Sequence, residues 1–295
     1  MNAERSIRSR ARQEKCVLVC GTLAYDHIGV IDGSFGTHNV KLTAMQRHFG
    51  GCGGNLAYNL ALLGQRHALF ARAGQHDIAP YRAHLAEAGA DTSNLKLGDA
   101  PTAQAYVFTA SSGEQFTAFH PHDTPLEIYA LQLQNALTNV QPALTVVAPD
   151  QPPLMAHALE RSARSGPTIW CPGQYAELLE PDEVSAMATH ASVIVVNAAE
   201  RRALGDTHGN TWVITDGGTP VVVQDHGRRW EVPVPEAERN TDPTGCGDAF
   251  AAAFAVAFVA GLPLVEAAEH GITLAQRCLA CNGGQNHTLE SPLHV

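Results

Sequence analysis

Short apolar runs alternate along most of the chain with longer amphipathic stretches. An unbroken apolar run indicates a strand buried on both faces, because a strand with one wet face alternates between apolar and polar residues. The predicted strands are residues 16–20, 68–72, 144–148, 168–171, 192–196 and 211–215. The predicted helices are residues 56–63, 81–88, 151–165, 182–189 and 198–204. Their alternation predicts an α/β fold in which a parallel sheet is covered by helices on both faces.

Two segments depart from this rhythm, residues 22–48 and 102–120. Apolar and polar residues alternate in both, which is typical of antiparallel strands with one face in water. A small sheet built from two excursions of a parallel core predicts a lid. We expect the lid to lie over the carboxyl ends of the buried strands, where open α/β sheets bind ligands.

The chain of 295 residues is long enough for one large α/β domain or two small ones. Neither an internal repeat nor a low-complexity linker divides it, so we predict a single domain over residues 16–295. Residues 1–15 carry a short basic stretch that no apolar leader segment follows. We therefore predict a disordered N-terminal tail there.

Charge and cysteine content narrow the class of partner and the compartment. Nineteen Lys and Arg against 29 Asp and Glu give a net charge of −10, which argues against nucleic acid and anionic membranes as partners. An apolar run of ~20 residues, as a membrane helix needs, is also missing from the sequence. Seven scattered cysteines among apolar neighbours are typical of reduced thiols, so we predict a cytoplasmic protein.

The segment from Asp242 to Asp248, Asp-Pro-Thr-Gly-Cys-Gly-Asp, runs directly into an Ala-rich helix. The amides of Gly245, Cys246 and Gly247 can converge in front of that helix, where the helix dipole favours an oxyanion such as a phosphate. A carboxylate beside an anion site repels its ligand, unless it accepts a proton from a hydroxyl that attacks the phosphate. The alternative is a solvated turn in which Asp248 only caps the helix.

A second glycine cluster, residues 50–55, opens the predicted helix 56–63. It fits neither G-x-G-x-x-G nor a Walker P-loop, so nucleotide phosphates are not its best ligand. Its glycines can admit a polyhydroxylated molecule close to the backbone, and Asn55 can bind vicinal hydroxyls. Close helix–strand packing with Asn55 as the N-cap is the alternative. Asp26, just beyond the first strand, can accept two hydrogen bonds from a diol or merely cap a turn.

Two further polar segments follow buried strands. Asn197-Ala-Ala-Glu200 begins a helix, and Glu200 either joins Asn197 in a capping interaction or helps, through water, to hold Mg²⁺ on phosphates. Thr215-Asp-Gly-Gly218 either binds a nucleotide phosphate through Thr215 and Gly217 or only turns the chain toward residues 221–224.

Together these motifs resemble the ribokinase-type (PfkB) carbohydrate and nucleoside kinase family. The pattern G-G-x-x-x-N-x-A-x-x-L-A-x-L-G is present at residues 50–64, and D-x-T-G-x-G-D-x-F at residues 242–250. N-x-x-E at 197–200 and T-x-G-G at 215–218 match as well, and the resemblance covers about residues 16–290. It implies a ribokinase-like fold and transfer of the ATP γ-phosphoryl group to a substrate hydroxyl.

The resemblance also implies roles for single residues. Asp248 would be the base, with the amides of Gly245, Cys246 and Gly247 stabilising the transferring group. The residues that would hold substrate hydroxyls are Asp26, Gly50, Gly51 and Asn55. Asn197 and Glu200 would organise Mg²⁺, and Thr215 and Gly217 would contact the nucleotide. Asp242 and Thr244, with the loop 281–284, would bind a monovalent cation, K⁺.

Within the family, the residues of these motifs are most similar to those of bacterial adenosine kinases. That similarity places Asn39 beside a nucleoside and Phe119 over its base. Such kinases commonly stack the base between two lid aromatics, whereas this chain has Ala105 at one of those places. From the similarity of the motifs we expect a kinase for adenosine or a related nucleoside. Ala105 leaves a ribose- or fructose-type sugar kinase as an alternative, and a catalytically silent binding protein is another. An exposed lid edge could pair with a second copy.

Overall fold

The computed structural model describes residues 15–289 apart from residues 36–38, 113, 208 and 238–241. The predicted tail therefore lies, except for Lys15, outside the described residues. The strands are β1 (Val17–Cys20), β2 (Ala24–Ile31), β3 (Leu42–Gly50), β4 (His67–Phe70), β5 (Arg72–Gly74), β6 (Lys96–Gly98), β7 (Ala103–Thr109), β8 (Gln115–His120), β9 (Leu144–Val147), β10 (Thr168–Trp170), β11 (Val193–Asn197), β12 (Trp212–Thr215), β13 (Val221–Asp225) and β14 (Arg228–Val232).

The helices are α1 (Cys52–Leu62), α2 (Ala79–Glu87), α3 (Leu126–Val140), α4 (Pro152–Ala163), α5 (Pro181–Ala188), α6 (Ala198–Leu204), α7 (Cys246–Ala260) and α8 (Leu264–Leu279), with a 3₁₀ turn at Gly173–Leu178. Each strand and helix predicted from the hydrophobic pattern is present, with ends that differ by a few residues.

The large sheet has the order β14-β13-β12-β11-β10-β9-β1-β4. Its strands from β12 to β4 are parallel, whereas β13 and β14 add an antiparallel edge. Alternate residues of β1 enter two different cores: Val17 and Val19 pack with α1, α7 and α8, and Leu18 and Cys20 pack with α3 and α4. Helices thus cover both faces of the sheet, which confirms the predicted three-layer α/β/α architecture.

Helix α7 has almost no polar face, because its residues from Ala249 to Ala257 are all buried. Small alanine side chains let it lie in the core beside α1 and α8 with its N-terminus near the carboxyl ends of the strands. The segment from Asp242 to Asp248 is thereby placed at the sheet edge that binds ligands in open α/β folds.

The small sheet, in the order β3-β2-β7-β8, accounts for the two alternating segments. Its outer pairs are antiparallel, as expected, but β2 and β7 run parallel. The alternating pattern could not reveal this pair, because β2 and β7 are joined by a long crossover through the large sheet, and such connections permit parallel pairing. β2 follows β1 directly and β3 runs into α1, so the small sheet is tied to the carboxyl ends of the parallel strands.

Candidate active site

The turn before α7 requires glycine at position 245. Gly245 is the N-cap with φ +79°, and a Cβ atom there would lie 2.4 Å from the Cα of Gly284. The amide of Cys246 donates to the carbonyl of Pro243 at 3.1 Å, so this member of the predicted anion site already serves the turn. Gly247, in contrast, is exposed, and a Cβ atom there would meet nothing within 4 Å. Its side of the turn faces open space in front of the helix.

Asp248 lies in the first turn of α7 and is half-buried. Its Oδ2 accepts a hydrogen bond of 2.7 Å from Nδ2 of Asn55 on α1. Burial raises the pKa of Asp248, hydrogen bonds from Asn55 and Cys52 lower it, and the charge of Glu200 raises it slightly. The net pKa is about 6. A carboxylate with this pKa is mostly ionised at neutral pH yet more basic than an ordinary aspartate, as general-base catalysis requires.

Asp26 lies on β2 and leans against the end of β3. A Cβ atom at Gly50 would lie only 1.9 Å from Oδ2 of Asp26, so position 50 must be glycine for this carboxylate to occupy its place. Burial, together with the smaller effects of the charges of Asp248 and Asp242, raises the pKa of Asp26 to about 7. The predicted substrate-binding carboxylate and the predicted base are therefore electrostatic neighbours.

The glycines before α1 allow close packing. Gly51 has φ +79°, and Cβ atoms at Gly53 and Gly54 would lie 2.9 Å from the carbonyl carbon of Gly21 and 1.9 Å from the hydroxyl of Tyr81. Close helix–strand approach, one of the two interpretations of this cluster, is thus present. The second part of that interpretation is wrong, because the N-cap of α1 is Gly51 and no side chain caps the helix. The amide of Asn55 is directed to Asp248 instead.

A buried glutamine that the motifs did not single out completes this cluster. Nε2 of Gln285 donates to Oδ1 of Asn55 at 2.9 Å and to the hydroxyl of Tyr81 at 2.6 Å. The Tyr81 hydroxyl in turn donates to the carbonyl of Gly50 at 2.6 Å. The only signal for Gln285 in the sequence is its position directly after Gly283 and Gly284, the second of which lets the backbone approach Asn55.

Asp242 connects two loops. Its Oδ1 accepts the amide of Thr244 at 2.9 Å, and its Oδ2 accepts the amide of Gly283 at 2.7 Å. Burial raises the pKa of Asp242, but these amide donors outweigh that effect and the net pKa is lowered. The Asp242 carboxylate therefore fixes the turn 242–244 against the loop 281–284, the two segments that the resemblance assigns to a monovalent cation.

At the other end of the site, Asn197 and Glu200 form a reciprocal capping box at the start of α6. The Asn197 amide donates to Glu200 Oε2 at 3.0 Å, and the Glu200 amide donates to Asn197 Oδ1 at 2.9 Å. Burial raises the pKa of Glu200. Thr215 lies beside Asn197 at the end of the neighbouring strand, and its hydroxyl donates to the carbonyl of Val196 at 3.3 Å. Gly217, at φ +55°, belongs to the turn into β13.

The strand register decides what lies on the same face of the small sheet as Asp26. His48 and Ala105 are its partners on β3 and β7, and Phe119 is opposite Ala105 on β8. Tyr106 points to the other face, where its ring stacks on that of His27 at 4.7 Å. Phe119 is therefore on the Asp26 face without a second aromatic ring at position 105. Asn39 is exposed in the connection that leads into β3.

A ribokinase-like fold of this kind, with a carboxylate at the N-terminus of α7, defines a class of small-molecule kinases. A family model described as pfkB family carbohydrate kinase matches residues 14–291. The chain therefore belongs to the PfkB family of carbohydrate kinases, transferases that act on hydroxyl groups of nucleosides or sugars, as the motifs predicted.

Solved structures agree with this assignment. The nucleoside kinase of Burkholderia thailandensis in complex with inosine is 28% identical and superposes with a TM-score of 0.82, covering 92% of this chain and 94% of that chain. The same enzyme in complex with ADP-inosine is 27% identical, covers 92% of each chain and has a TM-score of 0.79.

Two more distant structures show the fold alone. The nucleoside kinase of Methanocaldococcus jannaschii is 20% identical, with a TM-score of 0.83 and coverage of 94% and 95%. The ribokinase of Cryptococcus neoformans in complex with ADP is 19% identical, with a TM-score of 0.75 and coverage of 92% and 96%. None of the helices in the described residues is long and apolar enough to span a membrane.

Proposed function

We propose that this protein transfers the γ-phosphoryl group of ATP to the primary hydroxyl of a ribose-containing small molecule, with adenosine or a related nucleoside as the first choice. The observation that carries the proposal is the contact of 2.7 Å between Asn55 and Asp248, beside Asp26 and at the N-terminus of α7. One group that binds sugar hydroxyls and one that accepts a proton are thereby held together where a phosphate would bind.

Asp248 acts as the base in this proposal. The attacking hydroxyl lies against the carboxylate of Asp248, and the proton passes to Asp248 as the bond to phosphorus forms. Asp26 and Asn55 orient the sugar, and Gly50 and Gly51 leave room for it. The start of α7, from Gly245 to Gly247, stabilises the negative charge of the transferring group. Closure of the small sheet would exclude water, which would otherwise hydrolyse ATP.

Glu200 is suited to a magnesium ion held mainly by water and phosphate. Within the described residues no group of three or more His, Cys, Asp or Glu side chains could hold a metal, and Mg²⁺ commonly binds to few protein ligands. Glu200 is oriented by Asn197 and is close enough to influence Asp248. When bound, the ion would neutralise charge on the phosphates.

The loops joined by Asp242 are suited to K⁺. Asp242 is ionised and holds the turn 242–244 against the loop 281–284. The carbonyl of Thr244 and the carboxylate of Asp242 offer the oxygen ligands that a hard cation prefers. A cation there would stabilise the turn that carries Gly245, and hence the anion site.

The inosine complex of the B. thailandensis enzyme supports a nucleoside as substrate, and Phe119 can stack on its base. Ala105 favours the second candidate, a ribose- or fructose-type sugar kinase, because the strand partner of Phe119 is not a second aromatic residue. One stacking surface is worth roughly 1–3 kcal/mol. Retention of Asp248 and of Gly245 and Gly247 speaks against a silent binding protein.

The outer face of the small sheet supports a homodimer. Met45, Tyr106 and Phe116 lie on the face turned away from Asp26 and are 46%, 37% and 54% exposed. Exposed apolar patches of this kind commonly mark interfaces. All seven cysteines are free thiols, which fits the proposed reducing, cytoplasmic setting.

A panel assay tests the function. The purified protein is incubated with Mg·ATP and adenosine, inosine, ribose or fructose, with and without K⁺, and ADP release is measured. We expect turnover of a nucleoside that increases with K⁺. Turnover of ribose or fructose without any response to nucleosides would establish the sugar kinase instead, and nucleoside binding without ADP release would establish the silent protein.

A further inference from the structure

Gln285 lies at the origin of a hydrogen-bond network that reaches the catalytic carboxylate. It is only 2% exposed, and both hydrogens of its amide are used, one toward Oδ1 of Asn55 and one toward the hydroxyl of Tyr81. Asn55 in turn donates a hydrogen bond to Asp248, and the Tyr81 hydroxyl donates one to the carbonyl of Gly50. A single buried amide thus contacts both the predicted base and the predicted sugar-binding turn through one intermediate residue each.

The backbone before Gln285 is shaped for this contact. A Cβ atom at Gly284 would lie 2.9 Å from three side-chain atoms of Asn55, so any larger residue would displace that amide. Beyond Gln285, the Tyr58 hydroxyl donates to the carbonyl of His287 at 2.7 Å, and the His287 ring bonds Asn59 at 2.7 Å. These contacts hold the segment after Gln285 against α1 and so fix the position of the Gln285 backbone.

The order of donors and acceptors in this network depends on the charge of Asp248. An ionised carboxylate accepts hydrogen bonds only, so the N–H side of Asn55 must face Asp248 and its oxygen must face Gln285. With Asn55 reversed, its oxygen would face the carboxylate, an arrangement that is favourable only when Asp248 is protonated. The amide donor of Gln285 selects the first arrangement, because it needs an oxygen opposite it.

We propose that Gln285 is a positioning residue that holds Asn55 with its N–H group toward Asp248, and so keeps the base ionised and correctly aimed. The role of Asp248 as the base rests on the proposed function, whereas the orientation of Asn55 does not. Other titratable groups also interact with Asp248, so each Gln285 variant is compared with the wild type in a protein in which all of these groups are kept. These groups are Asp26, Cys52, Tyr81, Cys171, Glu200, Cys246 and Cys278. His84, in addition, hydrogen-bonds the side chain of Gln285 itself.

Two substitutions probe the network. Gln285→Glu keeps the shape but replaces the donor by an acceptor, so Asn55 is expected to reverse and present its oxygen to Asp248. Gln285→Met removes the donor without adding charge, which leaves Asn55 free to reverse. The control is Gln65→Glu. Gln65 is also a buried glutamine, 3% exposed, whose Nε2 donates two hydrogen bonds and whose Oε1 has no partner, but it precedes β4 at the opposite end of the strands.

The direct measurement is the pKa of Asp248, followed by NMR in protein labelled with ¹³C at the aspartate carboxyl groups and assigned with Asp248→Asn. A hydrogen bond to a charged group corresponds to about one to two pH units, so Gln285→Glu is expected to raise the pKa of Asp248 by that amount. Gln285→Met is expected to raise it less, and Gln65→Glu to leave it unchanged. In an Asn55→Ala background, Gln285→Met is expected to cause no further shift.

Unchanged pKa values in both Gln285 variants, or an equal shift in the Asn55→Ala background, would overturn the proposal. Thermal melting identifies a variant that does not fold, and Gln285→Asn, which keeps a shortened amide, then takes its place. The pH profile of kcat is the second readout: its acidic limb is expected to move with the pKa of Asp248, with KM for the nucleoside changed less. A wild-type protein that transfers no phosphate refutes the proposed function, while the NMR titration still tests the orientation of Asn55.

Discussion

Replacement of Gly50 by alanine tests whether the position of Asp26 depends on a missing side chain. The new Cβ atom would lie 1.9 Å from Oδ2, 2.3 Å from Cγ and 2.6 Å from Oδ1 of Asp26, so the whole carboxylate has to move. The backbone of residue 50 lies in strand β3 and is not among the glycines with positive φ, so alanine brings no strain of its own. The effect should therefore be that of a displaced Asp26.

The magnitude follows from the hydrogen bonds that Asp26 would make. Two bonds from substrate hydroxyls to a carboxylate are worth about 1.5–3 kcal/mol each, so their loss predicts a fall in kcat/KM of roughly 10²–10⁴-fold. The overpacking itself is expected to lower the free energy of unfolding by about 1–3 kcal/mol. The assay is steady-state phosphorylation of the preferred substrate by Gly50→Ala, by Asp26→Ala and by the double variant.

The three proteins should be about equally impaired, because Gly50→Ala and Asp26→Ala remove the same interaction. Gly166→Ala is the matched control: its Cβ atom would meet only two carbonyl oxygens at 3.7 Å, and wild-type activity is expected. A Gly50→Ala protein within about threefold of wild-type kcat/KM, equivalent to less than ~1 kcal/mol, would refute the argument that Asp26 occupies this place when substrate binds.

Three further predictions concern charge, cation and stacking. Because the pKa of Asp26 is raised to about 7 in the folded protein, the contribution of Asp26 to stability is present at pH 4 and is lost as the pH rises through 7. Asp26→Asn should therefore raise the melting temperature at pH 8 but not at pH 4. An equal change at both pH values would contradict the raised pKa. Asp242→Asn replaces one acceptor oxygen by a donor opposite the amide of Thr244 or Gly283, so activation by K⁺ in the ADP-release assay should disappear while residual activity in Na⁺ changes less; undiminished activation would contradict the assignment. Ala105→Phe should tighten nucleoside binding by roughly 5–150-fold in calorimetry without affecting ribose, and weaker nucleoside binding would show that position 105 does not face the base.

The hydrophobic pattern was sufficient for the large sheet because its strands are buried on both faces and its helices are amphipathic. Strands such as β10, in which every residue is buried, leave little ambiguity. The antiparallel edge and the parallel β2–β7 pair were harder to predict, because pairing partners far apart in the chain leave no local pattern. Register had to come from the structure, and with it the finding that Tyr106 points away from Asp26.

The candidate site was predictable where glycine and carboxylate stand at fixed spacing, as from Asp242 to Asp248. Such spacing records the backbone requirements of a turn, for instance the approach of Gly245 to Gly284. Gln285 could not be found in this way, because its importance comes from two hydrogen bonds to residues about 200 positions earlier in the chain. Apart from the two glycines before it, nothing local distinguishes it from an ordinary loop glutamine.

The role of Asp248 as the base is tested most directly by the phosphorylation rate of Asp248→Asn. Asparagine keeps the size of the side chain, so nucleoside binding is expected to persist, but it cannot accept the proton of the attacking hydroxyl. Loss of a general base predicts a fall in kcat of roughly 10²–10⁴-fold, with a nucleoside dissociation constant close to that of the wild type. An Asp248→Asn protein that kept more than about a tenth of the wild-type kcat, a barrier change below ~1.4 kcal/mol, would contradict the assignment of Asp248 as the base.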